Sequence, residues 1–132
     1  MSKAIPTILV IEDEALLLKS IEAKLKLSKL NPVGIADAET GLAYLAKASP
    51  LPDMVWLDYY LKNGMNGLDF MKKAHAHPQW SKIPVIIVSN SASQAKVDEM
   101  RALGAQKYFL KAESFLGDII QYIQQYLAAN SQ

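Results

Sequence analysis

The chain has 132 residues, enough for one domain that buries roughly two-thirds of its unfolded surface. Hydrophobic residues make up 51% and charged residues 20%, which argues against disorder, and 14 Lys plus Arg against 13 Asp plus Glu leave a net charge of +1, no electrostatic reason to expect nucleic acid or an anionic membrane as partner. The absence of cysteine excludes disulfides, thiolate metal centres, Fe–S clusters and a Cys nucleophile, and fits a reducing compartment.

The first apolar run, from Ile5 to Ile11, is cut off by Glu12-Asp13-Glu14. It is too short to span a membrane and lacks the shape of a signal peptide, so a cytoplasmic protein without membrane insertion is expected. Within it, Ile8-Leu9-Val10-Ile11 reads as a strand, entered after Pro6. Leu17, Ile21 and Leu25 form the stripe of a first helix. Val33-Gly34-Ile35-Ala36 is a weaker run and reads as an edge strand; Leu42, Leu45 and Ala46 mark a second helix. Met54-Val55-Trp56-Leu57 is the third strand, and Leu68, Met71 and His75 are spaced for a third helix. After Pro84 comes Val85-Ile86-Ile87-Val88, then a fourth helix over about 94–103 whose stripe of Ala95, Val97, Met100 and Leu103 is poor. Tyr108-Phe109-Leu110 is the fifth strand, and Leu116, Ile119, Ile120, Ile123 and Leu127 give the clearest helical stripe. The short continuous apolar runs predict strands covered on both faces, and the alternation predicts an α/β domain with a five-stranded parallel sheet between helices.

In such a sheet, ligands bind beyond the carboxyl ends of the strands. Glu12, Asp13 and Glu14 follow the first strand, Asp58 the third, Ser89-Asn90-Ser91 the fourth and Lys111 the fifth. Singly, each reads as a strand end or a helix cap; together they converge on one rim. Crowded carboxylates need a cation, and Asp13 and Asp58 with Glu12 behind them make a small hard-oxygen site suited to Mg²⁺. A carboxylate beside such an ion and an ammonium can accept a phosphoryl group, with the Ser89 hydroxyl able to donate to a phosphoryl oxygen.

These pieces, in this order and spacing, resemble the receiver domain of two-component response regulators. They are Ile8-Leu9-Val10-Ile11-Glu12-Asp13-Glu14, Val55-Trp56-Leu57-Asp58, Pro84-Val85-Ile86-Ile87-Val88-Ser89 and Gly104-Ala105-Gln106-Lys107-Tyr108-Phe109-Leu110-Lys111. The resemblance implies a flavodoxin-like, doubly wound fold with strand order 2-1-3-4-5 and helices on both faces. It implies that Asp58 is the phosphoacceptor. Asp13, Asp58 and the Tyr60 backbone carbonyl would bind Mg²⁺, with Glu12 acting largely through water. Lys111 would bridge to the phosphoryl group, and Ser89 and Tyr108 would be the switch pair, although Tyr108 reads equally well as a core aromatic. The donor would be a sensor histidine kinase or a histidine phosphotransfer protein. The output would be a changed helix 4–strand 5–helix 5 face, with Lys96, Met100, Arg101 and Tyr108 as candidate surface residues. A single receiver domain over 1–132 with no output domain is expected, so a separate downstream effector protein would read the signal. The protein would be a phosphoacceptor switch rather than an enzyme.

The sequence departs from the family pattern in places. Lys62 stands where proline is usual, four residues after the acceptor, and Gly67 lies nine after it, so the 62–66 segment is one residue longer. Ala112, rather than a cis proline, follows Lys111, which makes that bond trans or strained. Ser89 replaces the commoner threonine, and the large Tyr60, with Asn90, flanks the path of water to an acyl phosphate, where Tyr60 is expected to slow hydrolysis. One rival is a degenerate receiver that serves as a phosphorylation-independent interaction module. Another, a flavin carrier, is opposed by the acidic loop after the first strand, which repels phosphate; no Walker loop, zinc motif or nucleophile elbow is present. Elsewhere, His75 and His77 share no helix face and make a poor metal pair, Trp56 reads as core, Trp80 as a loop-packing residue, Asp37 as a cap and Asp53 as a polar strand-entry residue. Tyr122 and Tyr126 read as packing.

Overall fold

Alternation of strand and helix along the chain produces the expected layers in the computed structural model, which describes residues 5–62, 64–91, 93–111 and 114–130. The elements are β1 (Thr7–Ile11), α1 (Ala15–Leu27), β2 (Asn31–Ile35), α2 (Ala38–Lys47), β3 (Met54–Asp58), α3 (Gly67–Ala76), a 3-10 turn at Trp80–Lys82, β4 (Val85–Ser89), α4 (Gln94–Ala102), β5 (Ala105–Leu110) and α5 (Leu116–Ala129). The strands pair in parallel in the order β2-β1-β3-β4-β5. This is the flavodoxin-like, doubly wound fold expected from the sequence.

Side chains alternate across each strand, and that alternation divides the apolar residues between two cores. Leu9, Ile11, Val55, Leu57, Val85 and Ile87 face α2, α3 and α4. Ile8, Val10, Met54, Trp56, Ile86 and Val88 face α1 and α5, where Ile21, Leu25, Ile119, Ile120 and Ile123 close over them. The helix starts are capped locally. Asp37 Oδ1 accepts from the Thr40 N–H at 2.7 Å, Asn66 and Asp69 form a reciprocal capping box, and Ser93 Oγ accepts from the Lys96 N–H at 3.2 Å.

Several expectations need correction. β5 is the outer strand beside β4, as the expected order implies; Tyr108 packs on one core and Phe109 on the other, but both are only half-buried, and Gln106 and Lys107 are exposed. The face of α2 that is buried carries Ala38, Gly41 and Leu45, and Ala46 is exposed because it lies about 100° further round the helix than Leu45. The same rotation exposes His75, and α3 buries Gly67, Phe70, Met71 and Ala74 instead. Met100 is not a surface residue. It is 0% exposed, the one residue of α4 turned fully into the core, so the helix is held by a single buried anchor. Lys96 and Arg101 remain on the surface side.

Other assignments hold. Trp56 is core, and the Trp80 ring stacks on His77 with centroids 3.9 Å apart. Asp53 Oδ2 accepts from the Thr7 N–H at the entry to β1, and Tyr122 packs between Phe109 and Tyr126.

At one sheet edge, the Asn31 N–H of β2 donates inward to Pro6 O at 2.8 Å. Strand alternation then turns position 32 outward, and Pro32 has no N–H to present there. At the other edge, the β4–β5 register slips between Val85 and Ile86, which leaves Gln106 as an extra residue in β5. None of the described helices is long and apolar enough to cross a membrane.

Candidate functional site

β1 and β3 are neighbours in the middle of the sheet, so the residues at their carboxyl ends meet. Glu12, Asp13 and Asp58 each bring a carboxylate oxygen to within 4.8 Å of the others. Glu12 is 1% exposed and Asp58 4%. Lys111, at the end of β5, reaches across the rim. Its Nζ donates to Glu12 Oε1 at 2.9 Å and to Asp58 Oδ2 at 3.5 Å.

Backbone amides hold the acids in place. The Tyr60 N–H donates to Asp58 Oδ1 at 3.1 Å, the Glu14 N–H to Glu12 Oε2 at 3.0 Å and the Lys62 N–H to Asp13 Oδ2 at 2.7 Å. Gly67 makes room for the loop that does this. A Cβ there would stand 2.6 Å from Asp58 O and 2.8 Å from Tyr59 Cα, both backbone atoms that cannot move aside cheaply. The Gly67 N–H in turn donates to Tyr59 O at 2.9 Å. Further along the longer segment, Glu39 Oε2 accepts from the Met65 N–H at 3.1 Å, and Gly64 adopts φ +72 beside the same carboxylate. Asn63 lies outside the described residues.

The electrostatics follow from this crowding. Burial, reinforced by the charge of Glu12, pushes the Asp58 carboxyl up to about 7 against the opposing pull of Lys111. Burial works against the Lys111 ammonium, yet its hydrogen bond to Glu12 and the charges of Asp58 and Glu12 outweigh that and raise its pKa. One ammonium faces three carboxylates, so the site favours a divalent cation with hard-oxygen preference.

The remaining predicted residues ring this centre. Ser89 ends β4 fully buried, one residue past Val88, which pairs with Asp58. Its Oγ accepts from the Ser91 N–H at 3.4 Å, and its carbonyl accepts from the Lys111 N–H at 2.7 Å. Tyr108 is half-buried against the α2–α3–α4 core, and its Oη donates to Ser91 O at 2.8 Å. Ser91 Oγ donates to Tyr60 Oη at 3.1 Å. The Tyr60 ring is 40% exposed at the rim, with Lys96 Nζ 4.5 Å from its centroid. Ser91 thus joins Tyr60 and Tyr108, a linking role that sequence reading did not assign to it. Nor did sequence reading find the Lys62 amide, because a backbone donor leaves no residue-type signal. The Lys111–Ala112 bond lies outside the described residues.

Comparison with known proteins agrees with this geometry. The model of the response regulator receiver domain matches residues 8–124. The chain is 29% identical over 105 residues to chemotaxis protein CheY1 of Helicobacter pylori, covering 79% of this chain and 83% of that protein. Its fold is similar to that of a CheY-like response regulator receiver domain protein from Methanospirillum hungatei JF-1, with a TM-score of 0.84, 23% identity and 96% of each chain covered. It is also similar to the Mn(2+)-bound form of response regulator Rcp1, with a TM-score of 0.81, 20% identity and coverage of 96% of this chain and 97% of that one. The family match runs from β1 into α5 and takes in the whole acidic pocket and its lysine, and the chain belongs to the receiver domains of two-component response regulators.

Proposed function

We propose that this receiver accepts a phosphoryl group on Asp58 from a phosphohistidine of a sensor histidine kinase or histidine phosphotransfer protein, in an Mg²⁺-dependent reaction. The observation that carries the reading is the position of the Asp58 carboxylate, between the Lys111 ammonium and the Glu12–Asp13 pair at the carboxyl end of a central strand. An Asp58 oxygen attacks phosphorus. The new P–O bond forms as the P–N bond breaks, and the electron pair returns to the imidazole nitrogen, which takes a proton from solvent. Asp58 keeps only a narrow accessible edge, 5% of its side chain, so the donor must be presented at the carboxyl face of the sheet.

The donor set fits a divalent ion: three acidic oxygens lie within 4.8 Å, and the Rcp1 structure of the same fold is a manganese form. Asp13, Asp58 and the Tyr60 carbonyl would hold Mg²⁺, with Glu12 acting through water. Bound there, the ion supplies positive charge against the carboxylates and the phosphoryl oxygens. Lys111 is already aimed at Asp58 and holds the transferring oxygens by charge-assisted hydrogen bonds.

Output is a population shift. Ser89 turns its hydroxyl to the phosphoryl group. The Ser91 segment moves with it, and Tyr108, hydrogen-bonded to Ser91 O, changes position. The α4–β5–α5 face, with Lys96, Arg101 and Tyr108 on it, then presents a different surface to a separate effector. Moving such an equilibrium from mostly off to mostly on takes about 5.5 kcal/mol of differential interaction.

Mass spectrometry after incubation with acetyl phosphate and Mg²⁺ tests the reading. Wild type gains about 80 Da, one phosphoryl group; Asp58→Asn gains nothing, and EDTA abolishes the gain. No addition to wild type, or addition that persists in Asp58→Asn, leaves a degenerate receiver acting as a phosphorylation-independent interaction module.

A further inference from the structure

Between β3 and α3, the described residues 59–62 and 64–66 form neither helix nor strand, and the path of the chain is set by the amides it gives away. The Tyr60 N–H donates to Asp58 Oδ1 at 3.1 Å, the Lys62 N–H to Asp13 Oδ2 at 2.7 Å and the Met65 N–H to Glu39 Oε2 at 3.1 Å. Asp58 and Asp13 are acids of the candidate metal site. Glu39 is not: it belongs to the first turn of α2 and stands outside the cluster of Glu12, Asp13 and Asp58.

The chain is shaped to meet this outlying carboxylate. Gly64 has φ +72, a conformation that glycine adopts without strain, and a Cβ there would fall onto Glu39 Oε2 and lie 3.1 Å from Glu39 Cδ. Lys62 and Gly64 are exposed, and Gly64 borders an open cleft of about 450 Å³ with Asp13, Asp37 and Glu39. Little apolar packing therefore holds this stretch, and its hydrogen bonds define it. The 62–66 segment is also one residue longer than the family pattern, which gives it more conformations to lose before the Lys62 amide can meet Asp13.

We infer that Glu39 is a positioning residue for the divalent-metal site: by holding the Met65 amide from α2 it keeps the Lys62 amide on Asp13, and so keeps Asp13 in place beside Asp58. The inference rests on the reading of Asp13 and Asp58 as metal ligands. Glu39 works through an acceptor oxygen rather than through its charge, so glutamine, whose side-chain carbonyl has the same reach, can stand in for it. A first-turn acid also favours the α2 macrodipole. That contribution bears on stability, leaves the metal affinity of the folded protein alone, and is lost in glutamine.

Isothermal titration calorimetry of Mg²⁺ into metal-free wild type, Glu39→Ala and Glu39→Gln tests this. Glu39 is exposed and alanine is a strong helix former, so both variants fold. Loss of a group that orients a metal ligand typically costs about 10–100-fold in affinity; Glu39 acts one bond further out, so Glu39→Ala should weaken Mg²⁺ binding by about three- to tenfold and Glu39→Gln by less than about twofold. In ¹⁵N spectra of the metal-free protein, solvent exchange of the Lys62 amide should quicken in Glu39→Ala and not in Glu39→Gln. Equal weakening in the two variants assigns the effect to charge and overturns the inference. So does an unchanged affinity in Glu39→Ala, or a Lys62 amide that exchanges there as in wild type. Wild type that takes up no Mg²⁺ removes the metal reading itself, and the inference with it.

Discussion

The backbone N–H of Lys62 holds Asp13 Oδ2 at 2.7 Å, a bond that exists because Lys62 is not a proline. The residue that departs from the family pattern thereby supplies a donor to one of the candidate metal ligands. Lys62→Pro should lower the stability of the metal-free protein by about 1.5–3 kcal/mol in urea unfolding, the range for a lost hydrogen bond to a charged group. Lys62→Ala keeps the amide and should stay within about 0.5 kcal/mol of wild type. Equal losses in the two variants would assign the effect to the side chain and remove the backbone bond from the account.

Asp58 sets a pH dependence. Its ordinary carboxyl pKa is 3.8, and in the fold it is about 7, raised by burial and by Glu12. The folded state therefore binds the proton more tightly than the unfolded chain does. The stability this gives is complete below about pH 4 and is lost as the pH rises towards 7. Asp58→Asn should make the metal-free protein more stable than wild type at about pH 8, by about 2 kcal/mol. That is roughly half of what about 1.36 kcal/mol per pKa unit would give, because the open side of the site is solvated. The advantage should vanish near pH 4. Mg²⁺ should stabilise wild type and leave the variant unmoved. Thermal melts across this range check both signs.

Gly67 and Gly117 make a controlled pair. A Cβ at Gly67 meets the backbone of Asp58 and Tyr59, whereas one at Gly117 meets nothing within 4 Å. Gly67→Ala should cost about 1–3 kcal/mol, the range for overpacking, and should slow phosphoryl uptake because the strain falls on the backbone that carries Asp58. Gly117→Ala, on an exposed face of α5, should be neutral or stabilising by up to about 1 kcal/mol. Chemical denaturation and the rate of acetyl phosphate labelling separate the two.

Tyr60 lies two residues past Asp58, its ring exposed at the rim, joined through its hydroxyl to Ser91 and flanked by Lys96. Were Asp58 to carry an acyl phosphate, a ring held there would limit the approach of water. Tyr60→Asn should speed autodephosphorylation by roughly threefold or more, and Ser91→Ala, which frees the ring but leaves it in place, by less. An unchanged or slower rate in Tyr60→Asn refutes the shielding role.

Much of this architecture was legible in the residue pattern, because the central strands are continuous apolar runs that only a sheet covered on both faces explains. The acids at the ends of β1 and β3, and Lys111 at the end of β5, meet once the strand order is known. What the pattern hid is set by three-dimensional phase. Met100 looks like part of a weak stripe but is the anchor of α4. His75 and Ala46 fall just outside the buried arcs of their helices, and Phe70 and Ala74 fall within one. The exposure of Gln106 and Lys107 in the first half of β5 also escaped the pattern, because those residues sit at the bulge opposite Val85 and Ile86. Ser91 is one of three polar residues after β4, and only its contacts with Tyr60 and Tyr108 distinguish it.

The two open sides of the sheet bear on self-association. Pro32 removes an outward donor from β2, and the extra residue at Gln106, beside the exposed Lys107, breaks the regular spacing of β5. A strand from a second molecule would find a mismatched row of amides and carbonyls at either flank, and a charge at one of them. Intermolecular β-zippering and amyloid-like stacking are therefore disfavoured at both ends.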